Sequence, residues 1–163
     1  MNDINILINN INENNKIEKL IFSLNIEPEA YKRPRSSYKV KGKFYNPNAK
    51  YISNLKKEIK TKLDNKFNII KGEIEIELKF YLIPPKNISN SKTKLELIIN
   101  NIIHPITRPD LDNYIKPVLD AMNNLIYNDD GQIYKISASK LYTENNSHIE
   151  VIINYREDKI KLR

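Results

Sequence analysis

The sequence predicts a mixed α/β (α+β) domain in which two main helices pack on one small β-sheet. Three observations predict it. Residues 73 to 83, Glu-Ile-Glu-Ile-Glu-Leu-Lys-Phe-Tyr-Leu-Ile, alternate polar and apolar side chains almost without error, the period of a strand with one wet face. Ile52, Leu55, Ile59 and Leu63 form one stripe at helical spacing, and Ile115, Val118, Leu119, Met122 and Ile126 form a second. The elements follow one another as βα, β, α, ββ along 163 residues, a length that suits one domain and not two.

Residues 1–18 are rich in Asn and place Ile4, Leu7, Ile8 and Ile11 at helical spacing, which reads as a short helical appendage. From Lys19, Lys-Leu-Ile-Phe-Ser-Leu-Asn-Ile has the β-branched and aromatic content of a strand, ended by Pro28. Residues 31 to 46 alternate tyrosines with cations around Gly42, as a hairpin-like arm would. Asn46, Pro47 and Asn48 give a helix start signal before the first stripe, whose opposite face carries Lys50, Lys57 and Lys60. Pro84 and Pro85 end the alternating strand. A polar connector leads to a short helix around Leu95, Leu97, Ile98 and Ile99, then to a loop with His104 and Pro105. After the second main helix, Asp129, Asp130 and Gly131 form a turn, and Ile133 to Tyr142 and His148 to Tyr155 read as two strands closing a hairpin. Residues 156–163 are a charged tail.

Composition narrows the chemistry. With no cysteine, disulfides, thiolate zinc sites and a cysteine nucleophile are excluded. Two histidines leave any metal to carboxylates, which suit hard cations such as Mg²⁺ or Mn²⁺. The longest apolar runs fall far short of the ~20 residues of a membrane helix, and the N-terminus lacks a basic region followed by an apolar stretch, so a cytoplasmic protein with no membrane partner is expected. Lys and Arg number 27 against 20 Asp and Glu, a net charge of +7 that favours a polyanionic partner, nucleic acid before an anionic lipid surface.

Against that positive background the stretch Arg108-Pro109-Asp110-Leu111-Asp112-Asn113-Tyr114-Ile115-Lys116 concentrates acid. Asp110 and Asp112, two apart in an extended helix entry, project to one side and can grip one cation; equally, either can cap orphan backbone N–H groups. Asp112, Lys116 and Asp120 share a face once the helix has begun. A second acidic pair, Asp129 and Asp130, follows the helix. For it to approach Asp110, either the next strand runs back alongside or the helix ends early. Asn-Asp-Asp-Gly read alone is an ordinary surface turn.

Taken together, Arg108-Pro-Asp-Leu-Asp-Asn-Tyr-Ile-Lys-Pro-Val-Leu-Asp-Ala-Met-Asn-Asn followed by Asp-Asp-Gly-Gln-Ile resembles the RusA-like Holliday junction resolvases, small dimeric endodeoxyribonucleases. Lys32-Arg-Pro-Arg35 and Tyr45-Asn-Pro47 extend the resemblance upstream, so that it runs from about residue 19 to 155 and makes 19–155 a RusA-like nuclease domain. The Asn-rich N-terminus and the long connector of residues 86–107 depart from the pattern. The resemblance implies that Asp110, Asp112 and Asp130 coordinate Mg²⁺, with Mn²⁺ as a substitute. It makes Lys116 an essential basic partner and Asp129 an additional acidic candidate. It also implies a homodimer acting on branched, four-way DNA in recombination and repair.

Clustered carboxylates raise one another's pKa unless a cation neutralises them, so an acidic cluster in a basic chain suits a metal seat. The DNA-binding candidates are Lys32, Arg33, Arg35, Lys39 and Arg108, Arg being suited to phosphate by its rigid fork and the interleaved Tyr31, Tyr38 and Tyr45 to base stacking. Solvated loop charge is the plain alternative for the arm, and a helix salt bridge is the plain alternative for Lys116. Two other functions compete. Glu77-Leu78-Lys79 with Pro109-Asp110 imitates a restriction-type nuclease in reversed order, although strand alternation already explains Glu75, Glu77 and Lys79 as a wet face. A non-catalytic junction-binding module would keep the basic surface alone.

Overall fold

The computed structural model describes residues 17–33, 35–36, 44–63 and 67–156. Of the helical appendage expected in residues 1–18, residues 1–16 lie outside them and Glu18 already belongs to a strand; Lys39 with the tip of the arm, and all but the first residue of the expected tail 156–163, also lie outside. The framework is a four-stranded sheet of β1 (Glu18–Leu24), β4 (Ile74–Leu82), β5 (Ile133–Tyr142) and β6 (His148–Tyr155), in the order β1-β6-β4-β5. A two-stranded ribbon of β2 (Arg35–Ser36) and β3 (Phe44–Tyr45) forms the base of the arm.

The β4 alternation does what its period requires. Ile74, Ile76, Leu78 and Phe80 are fully buried on one face with Ile149, Val151 and Ile153 of β6 and Phe22 and Leu24 of β1, while Glu75, Glu77 and Lys79 line the other. Two main helices cover the apolar face, as expected. In α1 (Ala49–Lys62), Tyr51, Leu55 and Ile59 are buried, and Lys50, Lys57 and Lys60 are exposed. In α4 (Leu111–Met122), Tyr114, Pro117, Val118, Ala121 and Met122 are buried. The connector holds a one-turn α2 (Lys86–Ser89) and α3 (Lys92–Ile99), the latter capped by the Ser91 hydroxyl, which accepts from the Lys94 N–H at 3.5 Å. Among the described residues no helix is long and apolar enough to cross a membrane.

Two expectations are corrected. β5 and β6 do not close a hairpin: β4 lies between them, parallel to β5 and antiparallel to β6. The β4 side chains are buried or half-buried along the whole strand, which demands a neighbour on each edge, whereas β5 is mostly exposed or half-exposed and fits an edge. The parallel β4–β5 pair also requires a crossover, and residues 83–132, which carry α4, supply it. Second, α4 ends at Met122, before Ile126. Asn124 adopts φ 60°, a left-handed conformation that Asn tolerates, and the chain turns there so that Ile126 and Tyr127 are buried from outside the helix.

Candidate active site

Asp110 stands at the N-cap position of α4 in extended backbone, and its side chain makes no capping hydrogen bond. Asp112 follows in the first turn, exposed, with the Asn113 amide donating to its Oδ1 at 3.3 Å. Neither forms a salt bridge among the described residues. Among the described residues, these two exposed carboxylates at one helix end meet no cation. Because the helix has begun by Leu111, Asp112, Lys116 and Asp120 share a face; Lys116 Nζ pairs with Asp120 at 3.6 Å and lies 5.3 Å from the centre of the Tyr31 ring, in reach of its negative π face.

Tyr31 is joined to α4 by a defect in the helix. Pro117 has no N–H, so the Asn113 carbonyl four residues back lacks its usual donor. The Tyr31 N–H takes that place, donating to Asn113 O at 2.7 Å. The next residue is held from the other helix. Asn48, 4% exposed, does not cap α1 with its side chain. Its amide oxygen instead accepts from the Lys32 N–H at 2.8 Å and its nitrogen donates to the Lys32 carbonyl at 2.7 Å. The root of the basic arm is therefore stapled to both helices beside Asp112 and Lys116. Lys32 and Arg33 are exposed there, Lys32 with Glu29 at 3.5 Å, and Arg108 is exposed two residues before Asp110. The backbone of Arg35 lies in β2.

Asp129 and Asp130 sit elsewhere. Asp129 caps a 3-10 turn (Asp130–Gln132): its Oδ1 accepts from the Gly131 N–H at 2.7 Å. Gln132 completes the box, its Oε1 accepting from the N–H groups of Asn128 (2.9 Å) and Asp129 (3.1 Å). Its Nε2 donates to the carbonyls of Ile70 (3.0 Å) and Gly72 (2.9 Å), which ties the turn to the start of β4. Asp130 Oδ1 lies 3.4 Å from the Asn123 amide, at the C-terminal end of α4. Burial, and then the nearby charges of Asp130 and Asp120, push the Tyr127 phenol well above its usual value, so it stays a neutral donor; its proton goes to the Leu119 carbonyl at 3.2 Å. Asp130 thus stands beside the later turns of α4, near Tyr127 and Asp120, while Asp110 and Asp112 stand at its start. The structure does not gather Asp110, Asp112 and Asp130, and among the described residues no three acidic or histidine side chains lie close enough to share a cation.

Glu77 and Lys79, 3.5 Å apart, lie on the sheet face away from the buried residues that meet α4, with Glu150 3.7 Å from Lys79. They belong to a wet face and do not meet Asp110. His104 is exposed. A surface recess lined by Ser23, Glu27, Ile83 and His148 among others contains none of the candidate residues.

The family profile of endodeoxyribonuclease RusA matches residues 25–154, spanning both acidic pairs, Lys116 and the arm. The chain belongs to the RusA endodeoxyribonuclease family. Membership places it among nucleases with DNA as partner and accords with the mixed four-stranded sheet and its helices. The chain is also similar to a Bacillus subtilis (strain 168) protein, "Uncharacterized protein YqaN", with 35% identity over 141 residues, covering 81% of this chain and 93% of that protein. Within this RusA-family chain, sequence reasoning overlooked the parts played by Asn48, Pro117 and Gln132. Two signals were available: a proline inside an apolar helical stripe, which announces an unpaired carbonyl one turn back, and the Asp129-x-x-Gln132 spacing of a capping box.

Proposed function

We propose that this chain is a Mg²⁺-dependent, structure-selective endodeoxyribonuclease that resolves four-way DNA junctions as a homodimer. Each subunit nicks one of two opposed strands and leaves 5′-phosphate and 3′-hydroxyl ends. The observation that carries this reading is the pair of exposed carboxylates, Asp110 and Asp112, without a salt bridge among the described residues, beside Lys116 and the stapled root of a basic arm. The donor set suits Mg²⁺, which keeps several waters and takes one or two carboxylates together with substrate phosphate oxygens. Bound there, the ion supplies charge neutralisation and a more acidic water for attack on phosphorus.

The chain's own groups divide the remaining work. Asp110 and Asp112 are the residues that would hold the ion at the helix entrance. Lys116, kept in place by Asp120 and the Tyr31 ring, donates to a non-bridging phosphate oxygen as negative charge builds on it. Lys32, Arg33 and Arg108, with Arg35 and Lys39 further along the arm, hold the DNA backbone. Asp130, held near Asn123 and Tyr127 along the same helix, is the further acidic candidate of each chain, and the two-fold character of the substrate is the reason to place two chains on it.

Synthetic four-way junctions test this with wild type and Asp112→Asn, in Mg²⁺ and in chelator. The expected result is paired cleavage by wild type in Mg²⁺ alone, and junction binding without cleavage by the variant. Equal cutting by the variant refutes the metal site. Binding without cutting by wild type, in Mg²⁺ and in Mn²⁺, favours a non-catalytic module.

A further inference from the structure

Lys140 of β5 stands opposite Phe80 in register, so its side chain leaves the sheet on the face that packs against α4, where Phe80 meets the Tyr114 ring at 5.5 Å. Its Nζ donates to two backbone carbonyls, Thr107 O at 2.9 Å and Pro109 O at 3.0 Å. The segment they belong to is otherwise poorly held. Residues 106–109 are exposed, Ile106 to 93%, and among the described residues the two bonds from Lys140 are the only hydrogen bonds made by residues 104–109. Lys140 forms no salt bridge with a described acid. Its charge is therefore directed to these dipoles.

The Pro109 carbonyl and the Asp110 nitrogen share one peptide plane. Fixing that oxygen fixes the direction in which Asp110 leaves the loop. Asp110 has no capping bond to orient it otherwise. We propose that Lys140 is a positioning residue for Asp110: it clamps the 107–109 backbone to the sheet and so sets where this carboxylate stands relative to Asp112.

The proposal rests on the metal-site reading above. Its test compares wild type with Lys140→Met, which removes the donors but keeps the stem, with Lys140→Gln, whose amide is too short to bridge both oxygens, and with Lys140→Arg, which restores a double donor. Measured are turnover at saturating junction, junction affinity across a salt series, and Mn²⁺ binding to the DNA-free protein by electron paramagnetic resonance. Displacing a reacting geometry by about 1 Å costs on the order of 100-fold in rate, so turnover of the Met and Gln variants should fall by about that factor. Their Mn²⁺ binding should weaken, their junction affinity and salt slope should match wild type, and Arg should recover most of the rate. The Gln variant, polar on an edge strand, serves if the Met variant melts early.

Wild-type turnover and Mn²⁺ binding in the Met and Gln variants overturn the proposal. So does a salt slope reduced by about 0.9 with turnover intact, the signature of one lost phosphate contact. If wild type itself binds no Mn²⁺ and cuts in chelator, the metal-site reading has failed instead.

Discussion

Replacing Pro117 by Ala should separate the stability of the fold from the attachment of the arm. The new N–H lies one turn above the Asn113 carbonyl, the acceptor now used by the Tyr31 N–H at 2.7 Å. Loss of two ring methylenes from a buried position costs about 1.6 kcal/mol at ~0.8 per methylene, before any cavity cost. The restored helix hydrogen bond returns about 1 kcal/mol, and relief of the proline clash adds to it. Global stability should therefore shift by no more than about 1 kcal/mol, a small sum of opposing terms. The Tyr31 amide should behave differently. Competition for its acceptor removes up to about 1 kcal/mol of local protection, roughly fivefold in exchange rate. Hydrogen exchange resolved by residue, with urea unfolding as the global control, reads both quantities. If the Tyr31 amide keeps its full protection while the new amide at position 117 is protected too, the carbonyl serves both donors through its two lone pairs, and the argument that proline reserves it for the arm is wrong.

Leu78→Ala, at a fully buried site in the central strand, should cost 2 to 5 kcal/mol, read as a lower urea midpoint with unchanged slope. Gln132→Ala leaves two carbonyls and two N–H groups without their partner; because the turn is solvent-facing, water recovers part of the loss, and a drop of about 1 to 2 kcal/mol is expected in the same assay. The hydrogen bond and charge of Lys135 hold the Glu75 carboxyl below its usual 4.5. A depressed folded-state pKa contributes stability above the unfolded value and loses it as pH falls through the folded one. Melting of Glu75→Gln should therefore fall beneath wild type above the usual 4.5 and converge on it only as pH falls through the depressed folded-state value; equal curves at every pH would show that the pair does nothing.

Long, strongly periodic segments were legible in the sequence because burial imposes the period directly: β4, α1 and α4 formed where their stripes lay. The hairpin was misjudged because β5 and β6 follow each other with a short turn between them, and adjacency along the chain carries no information about a third strand inserted from earlier in the sequence. The end of α4 was also hidden. Ile126 continues the helical spacing and is buried, but it reaches the core from a turn made possible by Asn124. At the candidate site, the motif residues were visible as types, while the holding groups were not. Asn48 looks like a helix cap and grips Lys32 instead, and Lys140 reads as one more exposed cation until β5 is placed beside β4.

The position of β6 has a consequence for how this polypeptide comes into being. Its register joins Glu18 to Tyr155, and the Tyr155 hydroxyl donates to Glu18 across 137 residues of sequence at 2.8 Å. β1 emerges early from the ribosome, yet it pairs only with the strand made last among the six. Closing so long a loop precedes the contacts that reward it, which makes folding slow and leaves β1 and β4 with open edges during synthesis. The seat of Asp110 lies on the crossover between β4 and β5, and β4 receives its other neighbour only when β6 arrives. Every acidic residue of the motif is therefore synthesised before the strand that fills the middle of the sheet.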